Sequence, residues 1–228
     1  VEGIPYKYEK KAKKPSKDNA KSWVKAKPGD SVEIGNMVRT QNDSTAQLKL
    51  ADDSIVQLKA NTQVAIVDQL IDQRDKQRNS KLKVMLGDIL GNITPKKNKD
   101  SKFEIKTQGA SIAIRGTELY VSAESEKLTN ISVLHGLTEV KSSVSAADVA
   151  GGYGSQIEKD KAVATPIKLV KAPIILTPKT SHLETAQQNI VFKWKKRYNA
   201  SRYRFEIADD KGFNYMVEST EIAGNQIK

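Results

Sequence analysis

The sequence predicts an all-β protein, and three observations support this. Apolar and polar residues alternate with a period of two, as in Ala46, Leu48 and Leu50. Segments with this pattern are short, lie about ten residues apart, and are separated by turn residues such as Pro28-Gly29-Asp30 and Gly136. No segment carries a strong helical period. A sandwich, a barrel or a short β-solenoid would each satisfy this pattern.

The predicted strands follow one another along the first two thirds of the chain. The N-terminal residues 1–8 alternate weakly and predict a strand, whereas the lysine-rich residues 9–22 predict a mobile loop. Residues 68–81 lose their apolar period and predict a charged loop. The denser apolar run 82–93 predicts two short buried strands around a corner at Gly87 or Gly91. Five further strands are predicted at 103–107, 110–115, 118–124, 130–136 and 137–142.

A second unit is predicted from about residue 169, giving domains at 1–168 and 169–228. In its first clear strand, Phe192 and Trp194 share one face, and in the next Tyr203 and Phe205 do the same. Large aromatic side chains on one face of two strands indicate the core of a β-sandwich. Such a sandwich takes about 100 residues, so we expect this one to be incomplete, either continuing beyond Lys228 or completed by another chain.

Composition excludes several classes of function. The 228 residues contain no cysteine and only two histidines, His135 and His182, which leaves little material for metal sites or catalytic triads. We therefore predict a protein that is not an enzyme and has no cofactor and no metal. No window approaches the roughly 18 apolar residues of a membrane span, and no signal peptide is visible. The chain begins with Val1 rather than Met, so we expect it to start after processing.

The net charge of +11 is concentrated in two segments. Residues 1–27 contain nine lysines and three acidic residues, and residues 159–204 contain eleven lysines and arginines and two acidic residues. These segments predict either a solvated surface or contact with an anionic partner. The residues predicted to bind a partner are Lys10, Lys11, Lys13, Lys14, Lys193, Lys195, Lys196 and Arg197. Nucleic acid is not favoured as that partner, because no recognised binding motif or pattern of stacking aromatic residues accompanies the lysines.

The sharpest motif is Ile114-Arg115-Gly116-Thr117. Arg115 could bind a carboxylate of a partner through its planar guanidinium group. The favoured interpretation is structural: Arg115 binds backbone carbonyls, Gly116 permits a close approach, and Thr117 bonds locally. Trp194 is the other predicted structural residue, because it is the largest side chain on its face of the second unit.

Several blocks of residues 1–167 resemble the FecR-like domain family of bacterial envelope proteins. The blocks are PGDSVEIGNMVRTQNDSTAQLKLADDSIVQLKANTQV (28–64), LKVMLGDILGNI (82–93), FEIKTQGASIAIRGTELYVS (103–122), ISVLHGLTEV (131–140) and AGGYGSQI (150–157). The sequence departs from the family pattern at Asp52-Asp53-Ser54 and at Thr107-Gln108-Gly109, both at turns. The resemblance implies a short β-helix-like domain. The segment IVFKWKKRYNASRYRFEIADDKGF is similar to the immunoglobulin- or fibronectin-like sandwiches that often follow such domains.

The resemblance implies a place in the periplasm or cell envelope of a diderm bacterium. The function favoured from the sequence is a protein-interaction scaffold that docks onto an envelope protein or a multi-protein assembly. One alternative is a FecR-type regulator that relays the state of an outer-membrane receptor to a sigma factor. The sequence favours it less, because neither a cytoplasmic segment nor a membrane helix is visible. Another alternative is binding of peptidoglycan, a glycan or another anionic polymer.

Overall fold

The computed structural model describes residues 8–11, 23–42, 44–71, 77–95, 101–179, 190–209 and 216–228. Every regular element in these ranges is a β-strand, so the predicted all-β class is confirmed. The described residues up to Leu169 form one compact unit, and those from Val170 onward form a second. None of the described residues forms a helix able to cross a membrane.

The first unit is one curled sheet of fifteen strands. In chain order they are β1 Tyr8–Lys11, β2 Trp23–Ala26, β3 Met37–Thr40, β4 Ala46–Lys49, β5 Ile55–Leu58, β6 Gln63–Ile71, β7 Arg78–Asn92, β8 Lys102–Lys106, β9 Ser111–Ile114, β10 Glu118–Ala123, β11 Leu128–His135, β12 Leu137–Lys141, β13 Ala146–Ala150, β14 Tyr153–Glu158 and β15 Ile167–Lys168. The longest path across the sheet runs β13-β12-β9-β8-β7-β10-β11-β14-β15.

Strand β7 joins the two halves of this sheet. Its first part pairs with β6 and, in parallel, with β8. Its last part pairs with β5 and β10. Between these parts the chain bends at Gly87, whose φ is +88°. A side chain there would lie 2.5 Å from the Thr62 Cα, so the bend requires glycine.

The predicted alternation places one shared core between the two halves. Phe103, Ile105, Ile112 and Ile114 point inward from β8 and β9 and are 2% exposed or less, while their neighbours Glu104 and Ala113 are only partly buried. Fully buried Leu119, Val121, Ile131 and Val133 supply the facing side from β10 and β11. Because burial of each such side chain contributes about 1.5–3 kcal/mol, this cluster is the main stabilising feature of the unit.

Three predictions of local structure were wrong. Residues 68–71 and 78–81 are not a loop but the ends of β6 and β7, which pair from Asp68–Lys81 to Ile71–Arg78. Residues 82–92 of the predicted pair form part of one bent strand, β7, rather than two strands. Residues 8–11 belong to β1, which lies between β2 and β3, so the predicted loop at 9–22 begins too early. Backbone pairing does not require apolar side chains, which is why charged segments can extend these strands.

The second unit contains two small sheets. Strands β16 Ile175–Thr177, β17 Phe192–Trp194 and β20 Gln226–Ile227 form one, in the order β16-β17-β20. Strands β18 Tyr203–Ala208 and β19 Met216–Ile222 form the other. Aromatic side chains connect them: the ring centroids of Phe192 and Phe205 are 4.9 Å apart, and those of Trp194 and Tyr203 are 5.5 Å apart.

Candidate functional site: the corner at Arg115

The motif Arg115-Gly116-Thr117 lies where the chain passes from β9 in one half of the sheet to β10 in the other. Gly116 has a φ of +78°, and a Cβ there would lie 2.6 Å from the Pro95 Cα. The backbone N–H of Thr117 donates to the carbonyl of Ile93, and the Thr117 hydroxyl donates to the carbonyl of Leu137 over 3.1 Å. Gly116 and Thr117 therefore hold neighbouring turns of the chain together.

Two further glycines continue this packing. A Cβ at Gly136 would lie 2.8 Å from the carbonyl oxygen of Gly116, and the N–H of Gly151 donates to the carbonyl of Gly136. Gly136 separates β11 from β12, and Gly151 lies between β13 and β14. The three connections β9–β10, β11–β12 and β13–β14 each pass between the two halves of the sheet. They stack at one corner of the unit, where their glycines allow the backbones to be in direct contact.

Arg115 itself does not take part in this packing. Its side chain is exposed and makes no hydrogen bond or ion pair with any described residue. The bonds to backbone carbonyls that the sequence favoured are therefore not made within the described ranges. Because its planar guanidinium presents five donors, Arg115 is available for a carboxylate of another molecule.

Three other residues lie near Arg115 through strand pairing: His135 and Leu137 are exposed, and Glu118 is partly exposed. His135 and Glu118 lie opposite each other on β11 and β10, with Nε2 and Oε2 3.8 Å apart, which is an ion pair only when the imidazole is protonated. Leu137 is 52% exposed at the start of β12. We call Arg115, Glu118, His135 and Leu137 the corner surface. An arginine beside an exposed apolar side chain is a combination enriched where proteins bind one another.

The two predicted basic segments belong to different compact units. Lys10 and Lys11 lie on β1 in the first unit, whereas Lys13 and Lys14 lie outside the described residues. Lys193, Lys195 and Lys196 are exposed in the second unit, on and after β17. Their role in binding a partner stays a prediction.

Arg197 differs from these lysines. Its side chain is half-buried, and its Nε and Nη2 donate to the carbonyl of Ala172 over 3.1 Å and 2.7 Å. Its backbone N–H donates to the hydroxyl of Tyr203 over 2.7 Å. Arg197 therefore connects the beginning of the second unit to its aromatic centre. Trp194 lies in that centre and is 5% exposed.

The other residues that could carry chemistry serve turns or lie apart. Asp52 accepts a hydrogen bond from the N–H of Ser54 over 3.0 Å within a turn, and Gly151 and Gly152 form another turn. His182 lies outside the described residues. Within the described ranges, no three His, Asp or Glu side chains are grouped as metal ligands would be.

Sequence reasoning missed the neighbours of Arg115. Glu118, His135 and Leu137 come from three strands, and only the pairing of β10 with β11 and of β9 with β12 brings them to one corner. The available signal was the placement of Gly116 and Gly136 at strand ends, since glycines so placed mark sharp changes of direction.

Comparisons with known proteins found one matching family model and several similar solved structures. Residues 36–139 match the family model described as "FecR protein". Two crystal structures of a proposed anti-sigma factor from Parabacteroides distasonis, at 2.50 Å and 1.65 Å resolution, are similar to part of this chain. Each is 19% identical to it in sequence, and the TM-scores are 0.48 and 0.47. Each alignment covers 58% of this chain and 58% of the other. No curated protein matches the chain.

Proposed function

We propose that the protein is a FecR-type signalling regulator, because residues 36–139 match the FecR family model. In this role it binds an outer-membrane receptor in the periplasm of a diderm bacterium and relays the state of that receptor to a sigma factor. The family match is the observation that carries the proposal. It supports the regulator over the scaffold that the sequence favoured.

The geometry supports a function based on binding. The core of the first unit is filled by apolar side chains, and the residues that could carry chemistry are spread over separate turns. A stacked corner with glycines at close contacts is a rigid platform, because added side chains would meet backbone atoms. Side chains held on rigid elements lose little freedom when a partner binds.

We assign the contact with the receptor to the corner surface. Arg115 would bind a carboxylate of the receptor through a bidentate pair, and Leu137 would be covered by the same partner. Glu118 and His135 lie at the edge of this contact, where charges affect the association rate more than the final affinity.

A second candidate is the envelope scaffold, and the exposed lysines of the second unit favour it. Lys193, Lys195 and Lys196 are exposed near the end of β17 and form no ion pair with another described residue, so they can meet an acidic surface or an anionic cell-wall polymer. A scaffold would bind its assembly without changing transcription, which separates the two candidates.

The test is a transcript measurement in the source bacterium. Deletion of the gene should change the transcripts of a small set of genes, and the wild-type gene should restore them. Arg115→Glu should fail to restore them at equal protein level. Lys127→Glu, which makes the same change in charge at an exposed position at the opposite end of β11 from His135, should restore them.

Two results would contradict parts of this proposal. If deletion leaves all transcripts unchanged while an envelope assembly is lost, the protein is a scaffold and not a regulator. If Arg115→Glu restores the transcripts as well as Lys127→Glu does, the regulator stands but the corner surface is not its contact.

A further inference from the structure

The outer face of β8, β9 and β12 carries a row of residues that the sequence does not reveal. Ser111 lies directly opposite Lys106 on one side and Lys141 on the other. With strands about 4.8 Å apart, the two lysine backbones are separated by roughly 10 Å, with a serine between them. All three side chains point away from the buried Ile105, Ile112 and Val140.

An acidic row lies beside this one. Glu104, Ala113 and Glu139 occupy the next outward position on the same strands. Lys106 Nζ is 3.6 Å from a Glu104 oxygen, and Lys141 Nζ is 3.0 Å from a Glu139 oxygen. Because an ammonium has three donors, each lysine retains donors on the side away from its glutamate.

A cleft of about 260 Å³ lies on the side of Lys106 and Lys141 away from their glutamates, at the end of β8, the start of β9 and the end of β12. It is lined by the three residues of the row, by the turn after β8, by Ser142 and Ser143 after β12, and by Lys159 and Asp160 after β14. Glu104 and Glu139 do not line it. Three lysines thus surround the cleft, and Asp160 is the acidic residue in its lining.

The turn after β8 completes the cleft. The backbone N–H of Thr107 donates to the carbonyl of Ala110 across this turn. Gln108 and Gly109 lie between them and make no backbone–backbone hydrogen bond within the described ranges. A Cβ on Gly109 would lie 3.3 Å from the Lys159 Cα, so the lack of a side chain lets Lys159 approach. Lys159 has no ion pair with a described residue.

We propose that this cleft binds a small ligand through a phosphate group. A phosphate near neutral pH carries up to two negative charges and more acceptor oxygens than a carboxylate. These match the three lysines, the Ser143 hydroxyl and the Gln108 and Gly109 N–H groups that line the cleft. The volume lies below the roughly 300–1,000 Å³ of pockets for drug-sized ligands, which favours inorganic phosphate or one phosphorylated headgroup.

The test is a titration followed by NMR at constant ionic strength, balanced with NaCl. Inorganic phosphate is one probe, and vesicles of phosphatidylcholine with and without phosphatidic acid are the other. We expect saturable shifts of the Gln108, Gly109 and Ser143 amides with at least one probe, and the responsive probe identifies a soluble or a lipid source.

The variant Lys141→Met with Lys159→Met should weaken binding about tenfold or more, because two charge-assisted contacts are lost. The control Lys25→Met with Lys168→Met has the same net charge and should bind as the wild type does. If the first variant does not fold, Lys159→Met alone is used, since Lys159 is exposed. Equal weakening by the control, or no saturation with either probe, overturns the proposal.

Discussion

Among single residues, the glycines of the corner show most directly how local conformation limits the sequence. Gly116 and Gly152 both have a positive φ, at +78° and +82°. Their surroundings differ, because a Cβ at Gly116 would meet Pro95, whereas one at Gly152 would meet nothing within 4 Å. The two positions therefore separate the cost of backbone conformation from the cost of a steric clash.

We predict that Gly152→Ala lowers the free energy of unfolding by about 1 kcal/mol, the cost of a left-handed alanine. Gly116→Ala should cost at least about 1–3 kcal/mol more, because the added methyl group also overpacks the corner. Chemical denaturation of both variants measures the difference. Equal losses would mean that the corner relaxes freely around Pro95.

Arg197 and Lys196 are adjacent and carry the same charge, yet they have different surroundings. We predict that Arg197→Met lowers the stability of the second unit by about 1 kcal/mol, because the Ala172 carbonyl loses its charged donor. Lys196→Met should change stability by less than about 0.5 kcal/mol, since Lys196 is exposed. Thermal melts of the two variants provide the comparison, and identical melts would show that the hydrogen bonds of Arg197 contribute nothing.

At the scale of elements, the strands of the first unit depend on pairing more than on their own composition. Strand β1 has the sequence Tyr-Glu-Lys-Lys and would not be chosen as a central strand by its apolar content. It lies between β2 and β3, with Lys10 opposite Val24 on one side and Val38 on the other. Its backbone therefore connects β2 to the rest of the sheet.

We predict that Lys10→Pro destabilises the first unit by about 1–3 kcal/mol, because proline removes a donor from a strand paired on both sides. Lys10→Thr keeps the donor and favours strand conformation, so it should leave stability nearly unchanged. Hydrogen exchange at β2 gives an independent measurement. Protection of β2 that survives the proline would contradict a central position for β1.

Strands β7, β8 and β9 are also connected through Glu104. Lys81 on β7 donates to it over 2.7 Å, and the Ser111 hydroxyl on β9 donates to its other oxygen. Partial burial opposes ionisation of Glu104, but the hydrogen bonds from Lys81 and Ser111 outweigh this effect and lower the pKa of the Glu104 carboxyl. The hydrogen bond with Glu104 also raises the pKa of Lys81.

A lowered pKa in the folded state means that ionised Glu104 stabilises the fold above its unfolded pKa of about 4.3. We predict that Glu104→Gln is less stable than the wild type at pH 7 by up to about 1 kcal/mol, the range for partly exposed pairs. The difference should shrink as the pH falls through the folded pKa, when the wild-type carboxyl becomes neutral. Urea denaturation from pH 7 to pH 3 checks this, and a constant difference would exclude an ionic cause.

For the whole molecule, the relevant feature is the division into two compact units near Leu169. The first has a large aliphatic core, whereas the second depends on a few aromatic contacts around Trp194. Small units gain less from burial than large ones, so the second unit should be the less stable.

We predict two transitions in calorimetry, with the second unit unfolding at the lower temperature. Trp194→Ala should abolish the lower transition, because loss of a buried tryptophan costs about 3–5 kcal/mol. The upper transition should stay at its wild-type temperature. A single transition in the wild type that disappears in the variant would show one merged core.

The sequence by itself determined the all-β class, most strands of the first unit and the inward faces of those strands. It could do so because alternation of side chains is a local property of an extended backbone, visible wherever one face is buried. Phe103, Ile105, Ile112 and Ile114 were identifiable in this way. The glycines at the corners were identifiable too, since sharp changes of direction favour glycine.

Only the tertiary structure decided which strands meet and what their outer faces present. The parallel pairing of β7 with β8 joins residues more than twenty positions apart, and no local pattern specifies its register. The pairing of β9 with β12 places Lys141 beside Ser111 and Arg115 next to Leu137. The pairings of β1 with β3 and of β6 with β7 make strands of charged residues such as Lys10 and Lys81. Outward side chains bear little on folding, so their arrangement follows from long-range backbone pairing and not from the sequence around them.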